Sequence, residues 1–585
     1  MNMPFLKHCL FISLISGLFI IPFLSICEVS QVSEAREGVV VGEILRTQEY
    51  ILPLRHGQIV PSKPLLFHWL ATFLYQTSGG QNFDEFYLRL PSAVSAISCL
   101  LVLFIFIAKL FDYRSAYIGA IIFLSTNSVV CLAKDGRVDM LFCLLLTVAN
   151  LIWLQLAIEC KHRGDKSIPS LGWRALWIGM FTGLSVLAKG PLGLMMVGIL
   201  ISTVVIFWWG WKNLFRLIHP GFLLAIAIPL PWYYLSIEKG SGAFVKRQLI
   251  FENVSRFFGG EGITIKPFYY YLLQIWNQGA PWSVVLVILL LLGWYKRKEI
   301  LPFLKQDTCK KDWLSLSASL IWIASYIFFL SLSAGKRSAY LIMIMPALTI
   351  AIVNCLNIAS AILSQSCQSK AIIRISWFGA FVSFGALIVC VLFLLERSYP
   401  RALVDHREIY QAWQSISPDK KAFMGMFILG CFVAVCISLK RVLNNKTITG
   451  MLLVYFFTAQ QILTGMQVFG YAIKGATRGY KKAANELLAA IKDSDRPVFL
   501  KTAKDESFDS LFFYYPKRIE ISPFEKVDKS NVLYLSRVET LSRLDWINEN
   551  SIEKVLVSGR MIDIPETQFV VFRLSHYQNE SNQFQ

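Results

Sequence analysis

KDGRVDMLFCLLLTVANLIWLQLAIECKHRGDK, residues 134–166, decides the architecture of this chain. Its middle, residues 140–158, carries no charge and is long enough to cross the hydrocarbon core of a bilayer. One end opens on Asp135-Gly136-Arg137-Val138-Asp139, the other closes on Lys161, Arg163 and Lys166. The two ends differ in kind: one mixes carboxylates with a guanidinium, the other is plainly basic. Comparable apolar runs fall near 9–27, 90–110, 115–133, 172–188, 191–209, 218–236, 280–295, 313–332, 338–359, 372–395, 421–439 and 447–470. Together they give about thirteen expected spans, with the pair around Lys189-Gly190-Pro191 divided by a tight helix-breaking turn. Of the 585 residues, 55% are hydrophobic and 16% charged, the composition of a polytopic α-helical membrane protein.

The positive charges set the orientation. Every second connecting loop is basic: Lys109/Arg114, Lys161/Arg163/Lys166, Lys212/Arg216, Lys296 to Lys311, Lys370/Arg374 and Lys440/Arg441/Lys446. Loops of that kind stay in the cytoplasm. The N-terminus is then cytoplasmic, and loops 28–89 and 237–279 and the C-terminal tail face outwards. The net charge of +19 would suggest nucleic acid in a soluble protein; here it is spent on orientation and anionic lipid. The first run reads as an uncleaved span, because Ile26 is too bulky beside Cys27 for a lipoprotein cleavage site. The twelve cysteines are scattered, with no Cys-x-x-Cys pair to suggest a disulfide framework or a thiolate metal site.

Loop 28–89 is patterned. Over residues 34–46, Val40, Val41, Ile44 and Leu45 form one stripe, with Glu34, Glu37, Glu43 and Arg46 elsewhere, as in an interfacial amphipathic helix. Phe67, Trp69, Leu70, Phe73 and Leu74 suggest a second such helix beginning at Pro64. Pro267-Phe268-Tyr269-Tyr270-Tyr271-Leu272-Leu273 forms an aromatic belt in the other long loop. A boundary near 470 separates a membrane domain, 1–470, from a small soluble α/β domain, 471–585. The latter shows a helix at 480–492, helical stretches near 506–514 and 538–548, and strands near 498–500, 518–521, 532–535, 555–557 and 569–572. It has no glycine-rich phosphate loop and no metal cluster in its sequence.

The chemically capable residues gather on the outer face: Glu34 and Arg36, Lys63, Arg137 and Asp139, Lys189, and Lys336-Arg337 with Tyr340. Each has a plain structural reading. Ser33-Glu34 is ordinary helix-start chemistry; Arg36 and Lys63 can snorkel to headgroups; Asp139 suits a helix N-terminus. Lys189 lies close to the membrane without an acidic neighbour in sequence, which suits phosphate. An outward Lys-Arg pair runs against the orientation rule, which gives 336–337 a functional weight.

Eight short motifs in order resemble the polyprenyl-phosphate-sugar glycosyltransferases, the group of lipid A aminoarabinose transferases and protein O-mannosyltransferases. They are Glu34-Ala35-Arg36, Lys63 to Leu70, Arg89 to Ala93, Gly136 to Met140, Leu187 to Pro191, Glu252 to Phe257, Ala280 to Ser283 and Gly335 to Leu341. The resemblance implies the glycosyltransferase-C fold and a sugar donor on undecaprenyl or dolichyl phosphate. It places Arg36, Lys63 and Tyr340 on phosphate-anchoring positions, with Lys336 and Arg337 as further candidates beside Lys189, which its own context already suits to phosphate. It puts Asp139 on a carboxylate that contacts the sugar, and Arg137, Glu252 and Arg256 at the site. The family's first-loop Asp-Glu pair reads Ser33-Glu34 here, so Glu34 is the expected base in place of the missing Asp. Ser62 stands where the family has Glu, and Thr264-Ile265-Lys266 where it has His, which together argue against a metal.

The expected function is transfer of a hexose or aminopentose from a polyprenyl-phosphate donor to lipid A or another envelope acceptor at the periplasmic face. The enzyme would be a monomer of the bacterial inner membrane, with lipids around it, no nucleic acid partner and no cofactor. Alternatives are transfer to protein, a lipid or solute transporter, or an inactive scaffold relative. A transporter should show paired broken helices and mid-membrane charges, which spans 90–110, 338–359 and 447–470 lack.

Overall fold

The computed structural model describes residues 3–29, 31–80, 82–260, 263–295, 297–298, 307–362, 365–394, 418–445, 451 and 453–465. Beyond these it describes 480–490, 498–501, 509–515, 520–523, 533–537, 552–558 and 569–574. The helices are α1 (Met3–Ile20), α2 (Val32–Thr47), α3 (Leu66–Thr77), α4 (Glu85–Leu110), α5 (Tyr113–Leu124), α6 (Asn127–Leu132), α7 (Asp139–His162), α8 (Arg174–Lys189) and α9 (Leu192–Trp209). They continue with α10 (Leu224–Ala227), α11 (Leu230–Phe244), a π-helical run (Val245–Ser255), α12 (Arg256–Phe258), α13 (Tyr270–Gln278) and α14 (Trp282–Tyr295). Then come α15 (Asp307–Leu332), α16 (Met345–Ile362), α17 (Gln365–Leu394), α18 (Pro418–Asn445) and α19 (453–465).

Among the described residues, eight helices are long and apolar enough to cross a membrane, or nine if a bent pair counts as one span. The expected thirteen are thinned for visible reasons. Run 115–133 is two helices, because Ser125 and Thr126 turn their hydroxyls back to the carbonyls of Ile121 and Ile122. Run 280–295 is the second arm of the bent pair, meeting α13 at 107°. The loop expected from residue 237 is helical as far as Phe258, so 220–258 forms one long broken element. Run 447–470 and the expected helix at 538–548 lie partly or wholly outside the described residues.

Burial orders the bundle. The α7 window is 78% buried and 338–360 is 89% buried, whereas 4–23 is only 22% buried. So α7 and the segment running into α16 form the centre, and α1 faces outwards. Lipid is as apolar as Leu, so packing rather than hydrophobicity must join such helices. On α8, Gly179 and Gly183 do this: a Cβ on either would strike the backbone at Gly221 or Leu224. In α7, Asn150 donates to the Tyr326 hydroxyl of α15 at 2.8 Å, satisfying polar atoms where no water reaches.

Both helices expected in the first long loop form, but α2 differs from an interfacial amphipath. Glu34, Glu37 and Glu43 are buried like Val40, Val41 and Ile44. Protein rather than headgroup covers the carboxylates: Glu37 meets His68 of α3 at 2.8 Å. Burial pushes the Glu37 carboxyl up, but the His68 hydrogen bond and charge, with Arg36 and Lys63, outweigh it and hold it low.

Toward the C-terminus are α20 (Tyr480–Ala490), β1 (Val498–Lys501), α21 (Asp509–Tyr514), β2 (Glu520–Pro523), β3 (Leu533–Arg537), β4 (Ile552–Ser558) and β5 (Phe569–Leu574). The sheet order is β2-β1-β3-β5-β4. β1 runs parallel to β2 and β3, and β5 antiparallel to β3 and β4. Strands near each of the five expected positions are present.

Loop 28–89, the segment 237–258 and α21 touch one another, as Arg55 bonds Asp509 and Gln248 bonds the Pro61 carbonyl. All three must then share one side of the membrane. On a cysteine-free background, Ser78→Cys and Lys239→Cys should react with an impermeant thiol reagent in intact spheroplasts, and Lys212→Cys only after permeabilisation. Labelling of Lys212→Cys from outside would reverse the orientation.

Candidate active site

Four chain reversals deliver the site. Lys63 precedes Pro64, which favours extended backbone just before α3. Lys189 is the last residue of α8, because Gly190 adopts φ 88° and ψ −168°, a conformation essentially reserved for glycine. Pro191 then starts α9 at once, so Lys189 stands at a sharp turn. Asp139 is the first residue of α7, where the helix dipole favours an anion. Tyr340 lies in the 3-10 turn Ser338–Ile344 that leads into α16.

These side chains form two linked ion clusters. Lys189 Nζ donates to Asp139 Oδ1 at 2.5 Å and sits 4.1 Å from the Tyr340 ring centre and 5.1 Å from that of Phe142. Arg137 Nε is 3.9 Å from Asp139 Oδ2. In the second cluster, Glu252 gathers three cations: Arg256 at 3.0 Å, Lys63 at 3.1 Å and Arg247 at 3.3 Å. Between the clusters lies a cleft of about 310 Å³. Lys63, Lys189, Glu252, Arg256 and Tyr340 form its polar side; Leu192, Met195, Phe257, Phe258, Phe329 and Leu330 form an apolar one.

Other expected residues lie elsewhere. Glu34 is 1% exposed and sits behind the cleft. Arg89 grips it through Nε at 2.6 Å and Nη2 at 3.1 Å, and the Gly136 amide donates to it at 2.9 Å. Both oxygens are engaged, so the carboxylate expected to be the base is committed to the framework. Arg36 turns toward Asp509, 3.9 Å away, rather than lining the cleft. Lys336 donates to the backbone carbonyls of Lys266 and Ser333, so its amine closes a turn instead of meeting the cleft. Burial lowers the affinity of that amine for its proton. Arg337 is exposed and does not line the cleft. Arg137 bridges Asp135 at 2.7 Å and Asp139, one layer behind the cleft.

Sequence reading missed Arg247, whose link to Glu252 depends on the π-helical register, and Asp135. Asp135 is 2% exposed, with Oδ2 on Arg137 and no hydrogen-bond partner on Oδ1. Burial raises its carboxyl; Arg137 and Arg89 oppose that, Glu34 and Asp139 add to it, and the balance is a pKa pushed up to about 7. The signal was present, since Asp135 opens the stretch that decides the fold, but only the folded turn shows that it is buried.

A family model described as dolichyl-phosphate-mannose-protein mannosyltransferase matches residues 62–234. An undecaprenyl phosphate-alpha-4-amino-4-deoxy-L-arabinose arabinosyl transferase of Pseudomonas fluorescens is 25% identical over 315 residues, 53% of this chain and 52% of that one. One from Sodalis glossinidius is 24% identical over 433 residues, 73% of this chain and 71% of that one. The matched region thus spans about half the length of the Pseudomonas relative and more of the Sodalis one. Among solved structures, ArnT from Cupriavidus metallidurans bound to undecaprenyl phosphate aligns with a TM-score of 0.69 at 15% identity, covering 96% of this chain and 97% of that one. Its apo form gives 0.70 at 14% identity over 97% and 98%. The alignments show a shared fold, glycosyltransferase-C.

Asp135 has a consequence for stability. Its folded pKa lies above the ordinary carboxylate value of about 3.9. The folded state therefore holds a proton that the unfolded state releases. That contribution is full below the ordinary value and is lost as pH rises through about 7. Asp135→Asn should lose less melting temperature than the wild type between about pH 5 and 8. Parallel melting curves for the two proteins would refute the assignment.

Proposed function

We propose that the chain is a polyprenyl-phosphate-sugar glycosyltransferase, like the relatives it resembles, and that it transfers a sugar from a polyprenyl-phosphate donor to an acceptor at the periplasmic face of the inner membrane. One observation carries this reading: cations and an apolar wall meet in a single cleft. Lys63, Lys189 and Arg256 suit a lipid phosphate, and the wall of Leu192, Met195 and the phenylalanines suits the first prenyl units. The solved relative bound to undecaprenyl phosphate supports that lipid as the carrier.

In the reaction the bond between the sugar C1 and the phosphate oxygen breaks, and an acceptor oxygen bonds C1. The leaving phosphate gains charge, which Lys63, Arg256 and Lys189 stabilise. Lys189 is shared: turning to the phosphate, it frees the Asp139 carboxylate. Asp139 then takes the acceptor's proton. The Tyr340 ring keeps the Lys189 amine between the two anions. Glu34, held by Arg89, positions the turn by accepting from the Gly136 amide and leaves proton transfer to Asp139.

The names of the relatives favour an aminopentose donor and lipid A as acceptor; the mannosyltransferase family model favours a hexose and a protein hydroxyl. We place the enzyme with the former, because relatives so named align over as much as 73% of the chain. Residues 471–585 form an outer domain of the same enzyme. Mass spectrometry of lipid A and envelope proteins from a deletion strain decides the acceptor. Loss of a lipid A substituent is expected, and loss of protein glycans instead would move the enzyme to the second group.

Lys63→Ala and Arg256→Ala should each weaken undecaprenyl phosphate binding about tenfold or more, since a charge-assisted contact contributes about 1.5–3 kcal/mol. Unchanged binding in both would remove the cleft from the donor path.

Asp139→Asn should lose about a hundredfold or more in turnover at similar donor affinity. Glu34→Gln should show its main effect in melting temperature, as expected for a broken buried pair. A Glu34→Gln protein that melts normally yet transfers no sugar would return the base to Glu34.

A further inference from the structure

α21 is short, yet both of its ends are anchored on the first outer loop. At its start, the Asp509 carboxylate accepts from Arg55 Nη1 at 2.7 Å, meets His56 Nε2 at 3.2 Å and lies 3.9 Å from Arg36 Nε. At its end, the Tyr514 hydroxyl accepts from the Val29 amide at 2.6 Å and donates to Glu85 at 2.8 Å. Lys481 of α20 reaches the same Glu85 oxygen at 3.3 Å.

Asp509 grips a strained turn. Arg55 and Ile59 exchange backbone bonds, both 2.9 Å, and between them His56 has φ 55° and Gly57 φ 74°. The left-handed region costs a residue with a Cβ about 1–2 kcal/mol, so contacts outside the turn must hold His56 there. Asp509 supplies one, and Phe512 of the same helix supplies another, its ring centre 4.5 Å from that of His56.

From this turn the chain runs straight into the cleft. The Pro61 carbonyl accepts from Gln248 Nε2 of the π-helical run at 2.8 Å, and Lys63 then reaches Glu252 at 3.1 Å. Charge points the same way. Arg36 and Arg55 both repel Arg247, which itself pairs with Glu252 in the cleft. Asp509 is the carboxylate set against that pair of arginines. Burial pushes its carboxyl up, but Arg55, His56 and Arg36 outweigh burial and hold it low, so it stays anionic at neutral pH.

We propose that Asp509 is a positioning residue for the donor site: by fixing the turn at 55–59 it delivers Lys63 to the cleft. The C-terminal segment is thereby a working part of the transfer machinery. This rests on the reading of the cleft as the donor site, and it assigns a role to a region with no chemical motif of its own.

A double-mutant cycle on the full chain in nanodiscs tests it, with undecaprenyl phosphate as the probe and the melting temperature of each variant as a check on folding. Asp509→Asn should weaken binding about tenfold, close to the effect of Lys63→Ala. In the Lys63→Ala background the same change should cost less than about threefold, because its effect runs through Lys63. Asp509→Glu, which keeps the charge, should recover part of the loss. Arg55→Gln breaks the same contact from the loop side and carries the cycle if Asp509→Asn does not fold. Multiplying losses in the double variant, or unchanged binding in Asp509→Asn, overturns the positioning role while leaving the donor site intact. A wild-type chain that does not bind the probe overturns the donor reading and this inference with it.

Discussion

The Arg89 guanidinium is the constraint on which the outer half of the molecule depends. It holds Glu34 of α2 in a two-point ion pair and donates to the carbonyls of Leu24 and Cys27 where the chain leaves α1. Glu34 in turn accepts from the Gly136 amide. One side chain on α4 thus ties together the end of the first helix, the start of the first outer helix and the turn that carries Arg137 and Asp139. Removing one partner of a buried pair leaves an uncompensated charge and costs about 3–5 kcal/mol, far more than a surface ion pair contributes. The Arg89-to-Ala93 motif belongs to this framework rather than to the chemistry.

The site rests only partly neutralised. The one carboxylate of Glu252 is shared by Lys63, Arg256 and Arg247, and Asp139 pairs with Lys189, so the cations of these clusters outnumber the carboxylates. Cations gathered in a low-dielectric mouth would otherwise repel one another and raise the free energy of the fold. An arriving phosphate therefore competes with carboxylates already seated. Its gain is the difference between two sets of charge-assisted bonds, which favours a ligand that also brings apolar area.

Much of this was legible because the bilayer limits the choices. Apolar runs and loop charges located the helices, and the motifs located Lys63, Lys189, Glu252, Arg256 and Tyr340, all of which line the cleft. What sequence could not show is which charged group faces which way. Glu34 and Lys336 have the right residue types in the right motifs, yet one is locked by Arg89 and the other caps backbone carbonyls. Asp135 and Asp139 are four residues apart, of the same type and both buried; their partners, not type, separate them. The breaks at Ser125 and in 220–258 were hidden because local hydroxyl bonding and prolines shorten helices without lowering hydropathy.

The π-helical run at 245–255 makes chain length itself a chemical variable. In an α-helix, residues five apart point in different directions, whereas π-type hydrogen bonding brings them into line. Arg247 and Glu252 are five apart and paired, and the Asn253 side chain bonds the Gln248 carbonyl at the same spacing. Deleting a single residue here would let the run relax to α geometry and rotate everything after the gap by about 100°. Glu252 and Arg256 would then no longer face Lys63, with all three of these side chains still present. A length change there alters the site more than most substitutions do.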